Sequence, residues 1–172
     1  MRKQKGFSLI ELLIVVAIIL IIAAIAIPNL MRAKMAANDS SAAAGERTIV
    51  TAEIGYAAAF PTIGYPATLL ILGGAAGAAC VPSVGSACLI DANLANNGTP
   101  AGSGKSGYTF AAGGIGAAPA TTFLTTATPL GATTGSKAYC AIEDGVVRTA
   151  APGSIALVAS YAACQVLNPL SN

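Results

Sequence analysis

The chain has 172 residues, of which 55% are hydrophobic and only 9% are charged. Its formal charge of +2 depends on three basic residues in the first six positions, and without them six basic residues face seven acidic ones. This balance gives no bulk attraction to nucleic acid, so no specific nucleic-acid partner is predicted. The many small residues, including 19 Gly, favour a membrane or polymer component over a freely soluble enzyme.

The first predicted element is an apolar segment that follows a short basic stub. Every residue from Leu12 to Ile27 is Leu, Ile, Val or Ala, and the run counted from Phe7 has 21 residues. A helix of about 20 apolar residues spans the hydrocarbon core of a bilayer. A basic stub before such a segment is typical of an N-terminus held on the cytoplasmic side. Glu11 lies inside the segment, and an acid in a membrane span is a candidate functional residue.

The order of residues around this acid is specific. The stub ends in Gly6, and the letters FSLIELL follow before the apolar run continues. This order resembles the class III prepilin signal of type IV pilins and the related pseudopilins, and the resemblance is close from Lys5 to Leu30. It implies that residues 1–6 are a leader removed by a prepilin peptidase. The peptidase is expected to cut between Gly6 and Phe7 and to methylate the new Phe7 amine.

The resemblance also implies a role for the acid, in which Glu11 meets the Phe7 amine of a neighbouring subunit. Such a pair sets register more than it adds stability, because the attraction between poorly solvated charges barely offsets their dehydration. The alternative is a Glu near a helix N-terminus, favoured by the helix dipole and reaching the membrane interface. The segment 7–28 is accordingly predicted to lie first in the membrane and later in the core of a filament.

Pro28 ends the apolar run. Because Pro removes a helix hydrogen bond and clashes one turn back, we expect a kink or local unwinding there, and the resemblance implies that this feature serves assembly. The helical pattern continues through residues 29–60, and Pro61 ends it. One helix from about Ser8 to Ala59 is therefore predicted, with an apolar first half and an amphipathic second half.

The second half of this helix has one apolar face. Its members recur at spacings of three, four and seven: Ala42, Ile49, Ala52, Tyr56 and Phe60. Glu46, Arg47 and Glu53 are predicted to lie on faces left polar. Gly45 is predicted to mark a point of close packing, because Gly otherwise weakens a helix by about 1 kcal/mol relative to Ala.

Residues 61–172 are predicted to form a globular head. The predicted elements are a short helix within 66–74 with Gly73 past its end, a strand beginning at 107–110, a hairpin joining 137–142 to 146–148, and a strand or short helix at 157–166. Three or four antiparallel strands would then pack on the second half of the helix. The fold class is α+β and pilin-like.

The four cysteines and the absence of His constrain the chemistry of the head. Zinc sites use tight Cys pairs or Cys with His, so neither a metal nor a cofactor is predicted. An even number of cysteines beyond a membrane anchor favours disulfides formed outside the cytoplasm. Of three connectivities, proximity favours Cys80–Cys88 with Cys140–Cys164, and free buried thiols are the alternative.

The resemblance implies a structural subunit of a type IV pilus, not an enzyme, which polymerises into a helical surface filament for adhesion, motility or DNA uptake. Implied partners are identical subunits, the prepilin peptidase, and the inner-membrane assembly platform with its ATPase. Before assembly the chain would cross the inner membrane once with its head in the periplasm; afterwards it would lie in a cell-surface pilus. A type II secretion pseudopilin, a minor pilin, and a membrane-anchored periplasmic binding protein or enzyme stay open as alternatives.

Overall fold

The computed structural model describes residues 7–74, 79–150, 153–154 and 156–170. The chain divides into two compact units, Met1–Lys34 and Met35–Asn172. A single long helix, α1 (Leu9–Ala59), contributes to both units. The remaining elements form a small antiparallel sheet and three short helices, so the predicted α+β class, with a long N-terminal helix and a sheet, is confirmed.

In the first unit, α1 is uninterrupted at Pro28. The local unwinding expected there as one alternative is not present in the described helix. Pro28 lacks one backbone donor, and the hydrogen bonds on either side of it are enough to keep the helical path. By length and composition alone, α1 is able to cross a membrane.

The second unit contains a five-stranded antiparallel sheet in which each strand pairs with the next in the chain. The strands are β1 (Tyr108–Ile115), β2 (Thr122–Pro129), β3 (Tyr139–Ala141), β4 (Arg148–Thr149) and β5 (Asn168–Pro169). The β1–β2 pair is the longest, and its register runs from Tyr108 opposite Pro129 to Ile115 opposite Thr122. The sheet is thus a simple meander with β1 and β5 at its edges.

The short helices are α2 (Leu69–Gly73), α3 (Ala92–Ala95) and α4 (Tyr161–Gln165). The helix expected within 66–74 begins three residues after Pro66, and it includes Gly73, which was expected to lie past its end. The cause is Pro66, whose carbonyl oxygen accepts the Gly114 backbone N–H at 2.7 Å and so holds this residue against β1. The segment 157–166 takes its helical alternative in α4.

The predicted hairpin exists, but its strands are shorter than expected. Tyr139 lies opposite Thr149, and Cys140 opposite Arg148. Between β3 and β4 the Asp144 carboxylate accepts the Val146 N–H at 2.9 Å and pairs with Arg148, and these contacts close a longer connection than a two-residue turn. Strands β2 and β5 were not predicted.

The core of the second unit lies between α1 and the sheet. Tyr56, Tyr108, Phe123 and Ile49 are its largest fully buried apolar side chains. At Gly45 a Cβ atom would lie 2.9 Å from Cε1 of Phe110, so this glycine marks the close packing point that was predicted.

Two disulfides are present in the second unit. Cys80–Cys88 closes the loop that follows α2, and Cys140–Cys164 ties β3 to α4. Cys140 and Cys164 lie with Ile142 and Val158 in a second, smaller buried cluster. These are the pairs that proximity along the chain favours.

The outer edge of β1 has polar partners that do not belong to a strand. The Asn97 side-chain amide donates to the Phe110 carbonyl at 2.6 Å, and its oxygen accepts the Phe110 N–H. Pro66 accepts from Gly114 further along the same edge. At the other end of the sheet, β5 has only two residues, and one of them is Pro169.

One prediction for α1 is wrong. Glu46 and Glu53 were placed on polar faces, yet both are 0% exposed. The reason is helical periodicity, because residues 46, 49, 53 and 56 alternate spacings of three and four and therefore share one face. Arg47 is exposed, as predicted.

Candidate processing and assembly site

The candidate site begins where α1 begins. Ser8 precedes the first helical residue, and its backbone N–H donates to Oε2 of Glu11 at 2.9 Å. The first N–H groups of a helix have no partners within it, and a Glu three residues after a Ser reaches back to supply one. Within the single chain, the acid therefore serves as an N-terminal cap of its own helix.

This capping contact was missed by the sequence analysis, although it gives the dipole interpretation of Glu11 a concrete form. The signal that identifies it is Ser-x-x-Glu immediately before an apolar helical run, which Ser8 and Glu11 satisfy. The contact is local and needs no partner molecule, so it could be predicted from residues 8–11 alone.

The structure brings few of the predicted site residues together. Gly6 lies outside the described residues. Phe7 is 76% exposed, and Glu11 is also exposed. Pro28 lies far along α1 and takes no part in the capping contact. The intermolecular pair between Glu11 and Phe7 of a second chain stays a prediction, since the structure contains one chain.

The surface around the site is apolar. Every large apolar side chain from Phe7 to Met31 is exposed. Exposed apolar patches beyond a few hundred Å² are rare on soluble monomers and mark membrane or protein contacts. Glu11 is the single carboxylate in the first turn of the helix that carries this apolar surface.

Two charged side chains of the second unit, Asp39 and Lys105, are engaged in structural contacts. Asp39 accepts from the Tyr108 hydroxyl at 2.6 Å, from the Ser136 N–H at 3.0 Å and from the Ser136 hydroxyl. Lys105 pairs with Asp91 at 3.2 Å. Among the described residues no cluster of three or more His, Cys, Asp or Glu is placed to hold a metal ion.

The family described as the prokaryotic N-terminal methylation motif matches residues 1–27. This match covers the basic stub, the cleavage position expected after Gly6, and the apolar run that contains Glu11. The first part of the chain therefore carries the sequence motif of the class of proteins with N-terminal methylation.

Two characterised relatives narrow this class. The chain is 53% identical over 60 residues to the type IV wide pilus major component PilA4 of Thermus thermophilus, covering 35% of this chain and 40% of that protein. It is 47% identical over 51 residues to the type IV major pilin protein PilA of Myxococcus xanthus, covering 30% of this chain and 23% of that protein. No solved structure matches. The motif and these partial similarities support the type IV pilin family for this chain, which spans less than half the length of either relative.

Proposed function

We propose that this chain is a structural, non-enzymatic subunit of a type IV pilus. The observation that carries the proposal is the position of Glu11. It lies inside the matched methylation motif, in the first turn of a helix whose large apolar side chains are exposed. The names of the two relatives, both major pilus components, support a major rather than an accessory subunit. Adhesion, motility and DNA uptake are all compatible uses of such a filament.

The proposed life of the chain has two stages. In the first, α1 anchors the precursor in the inner membrane with its head in the periplasm, and a prepilin peptidase cuts between Gly6 and Phe7. The two disulfides support an oxidising location for the head. In the second stage the assembly platform and its ATPase move the apolar helix from lipid into a bundle of identical helices. Work is needed because both environments accept apolar side chains equally well.

The cap at the start of α1 is compatible with intermolecular pairing. An ionised carboxylate has two oxygens and accepts several hydrogen bonds. In the single chain, Oε2 of Glu11 accepts from Ser8. A neighbour's Phe7 amine, created only by cleavage, is proposed to bind the same carboxylate, so that cleavage precedes correct docking.

Replacing Glu11 with Gln separates these two roles. Gln in the same position still caps the helix, because Ser-x-x-Gln also forms the capping contact, but it has no charge to pair with an amine. We expect Glu11→Gln to insert in the membrane and to be cleaved normally, while filaments in sheared surface fractions fall at least tenfold. Immunoblots of membrane and sheared fractions, with electron micrographs of the latter, measure both steps.

Asp144→Asn is the matched control, because it removes one negative charge from an exposed residue of the head. Its filament yield should equal that of the unaltered chain. Full filament yield from Glu11→Gln would show that capping alone is required, and the charge-pair role of the acid would be abandoned.

A further inference from the structure

Glu46 and Glu53 are two carboxyl groups that the proposed assembly mechanism does not use. They lie seven residues apart on the buried side of α1, and each is 0% exposed. Between them lie Ile49 and Val50 of the core. Close approach of helix and sheet at Gly45, next to Glu46, leaves little room for water beside the first acid.

Hydrogen bonding of the two acids is incomplete. Glu46 Oε2 and the Thr125 hydroxyl oxygen are 2.5 Å apart, and that hydroxyl is also 3.4 Å from the Ala141 carbonyl oxygen. Oε1 of Glu46 and both carboxyl oxygens of Glu53 are buried without a hydrogen-bond partner. A buried ionised carboxylate in this situation is costly, because nothing replaces its lost hydration.

The groups that face these acids do not neutralise them. The ion pairs of the described residues, Lys105–Asp91 and Arg148–Asp144, include neither acid. Glu46 meets Thr125 of β2 as its polar neighbour. Burial raises the pKa of Tyr56 on the same helix and of Tyr65 in the following loop, and the charge of Glu53 adds to the rise in both pKa values.

The charge of Glu143, in the connection after β3, also contributes to the raised pKa of Tyr65. The surroundings of the pair are thus apolar, hydroxylic or acidic. A cation that could hold either carboxyl in its ionised form is missing from this part of the described chain.

We propose that Glu46 and Glu53 form a proton-dependent clasp that holds the second part of α1 against the sheet only while both are neutral acids. In the neutral form Glu46 donates its proton to Thr125 Oγ1, and Thr125 then donates to the Ala141 carbonyl, which links α1 to β2 and β3. Ionisation reverses the first bond and places an unpaired charge in the core. The clasp acts within one chain and does not require polymerisation.

The direction of the pH dependence follows from burial. Desolvation raises the pKa of both acids from 4.5 to about 8, and for Glu46 the Thr125 hydrogen bond opposes this only in part. The folded head therefore keeps protons that the unfolded chain releases above pH 4.5. The stability that the clasp contributes is complete below pH 4.5 and is lost as the pH rises to about 8. Each pH unit within that window lowers the folding equilibrium constant about tenfold per acid.

Unfolding of the full-length chain in detergent micelles, followed by near-ultraviolet circular dichroism, tests this clasp. All five Tyr lie in the second unit, so the near-ultraviolet signal reports on the unfolding of that unit. We expect the unfolding equilibrium constant to rise up to a hundredfold per pH unit between pH 5 and 7. Glu46→Gln or Glu53→Gln should roughly halve the logarithmic slope, and the double variant should abolish it.

Asp91→Asn is the control, because hydrogen bonds from Leu94 and Lys105 outweigh burial and lower the pKa of Asp91, which places its titration below the tested window. A flat profile in the unaltered chain, or a slope that survives in the double variant, would overturn the clasp. Should a Gln variant fail to fold, carboxyl carbon NMR of the unaltered chain decides instead. Two Glu resonances should titrate near pH 8, and titration of all Glu below pH 5.5 would contradict the proposal.

Discussion

The two parts of α1 are helical for different reasons. In the first unit the large apolar side chains from Leu9 to Leu30 are exposed, and Glu11, the acid in the first turn, is exposed with them. In the second unit one side of the same helix is buried, and two acids are buried within it. Local hydrogen bonds and the surrounding medium maintain the first part, whereas contacts with the sheet maintain the second. Glu11 is therefore exposed in the first part of the helix, whereas Glu46 and Glu53 are buried in the second part.

The largest expected difference in stability between the two units comes from truncating a buried side chain in the core of the second unit. Phe123 is 0% exposed and its ring centroid lies 4.6 Å from that of Tyr65. Because the truncation leaves a cavity, Phe123→Ala should lower the free energy of unfolding of the head by about 3–5 kcal/mol. Urea unfolding in micelles, followed by the tyrosine signal, measures it.

Ile18→Ala is the matched truncation in the first unit, where this side chain is 52% exposed. It should leave the unfolding midpoint of the head unchanged. An equal loss of head stability from this change would show that the two units do not unfold independently, and the comparison would fail.

The disulfides provide a second test, of intermediate size. Cys140–Cys164 joins residues 24 apart, and Cys80–Cys88 joins residues 8 apart. By loop-closure entropy, replacing both members of the longer link with Ala should cost about 3.5 kcal/mol, against about 2.5 kcal/mol for the shorter one. Chemical denaturation of both double variants measures the two losses in the free energy of unfolding and shows which is larger.

The helical signal of the first unit should not change in either double variant. A larger loss from the Cys80 and Cys88 pair would mean that strain or residual structure in the unfolded chain outweighs loop length.

The smallest test compares two glycines on one helix. At Gly45 an added Cβ would lie 2.9 Å from Phe110, whereas at Gly55 the nearest atom, in Leu89, is 3.7 Å away. Gly45→Ala should therefore destabilise the head by about 1–3 kcal/mol through overpacking. Gly55→Ala should stabilise it by about 0.5–1 kcal/mol through helix propensity. Thermal unfolding of the two variants gives the sign directly, and two shifts of the same sign would contradict the packing at Gly45.

The N-terminal segment could be predicted from the sequence because its information is local. A basic stub, an apolar run of membrane length and one acid lie within thirty residues, and none depends on distant contacts. The end of α1 was predictable for the same reason, since Pro61 stops a helix whatever surrounds it.

The head was less predictable because distant contacts decide it. Glu46 carries a charge in water, and only the sheet that covers it makes it a core residue. Strand β2 contains four Thr residues without strict alternation, and these β-branched side chains were the available signal. Strand β5 has two residues, too few for any periodicity, and it exists only because β4 lies beside it.

The contact between Asn97 and β1 protects one edge of the sheet from pairing with other chains. An edge strand with unpaired backbone groups is a template on which another chain adds as a further strand, and this is a common route to aggregation. At β1, Asn97 bonds both backbone groups of Phe110, while Pro66 holds Gly114. Strand β5 is short and contains Pro169, which lacks a backbone donor. At these positions the two edge strands therefore do not offer free backbone groups to a strand of another chain, and pairing between the sheets of neighbouring chains is disfavoured.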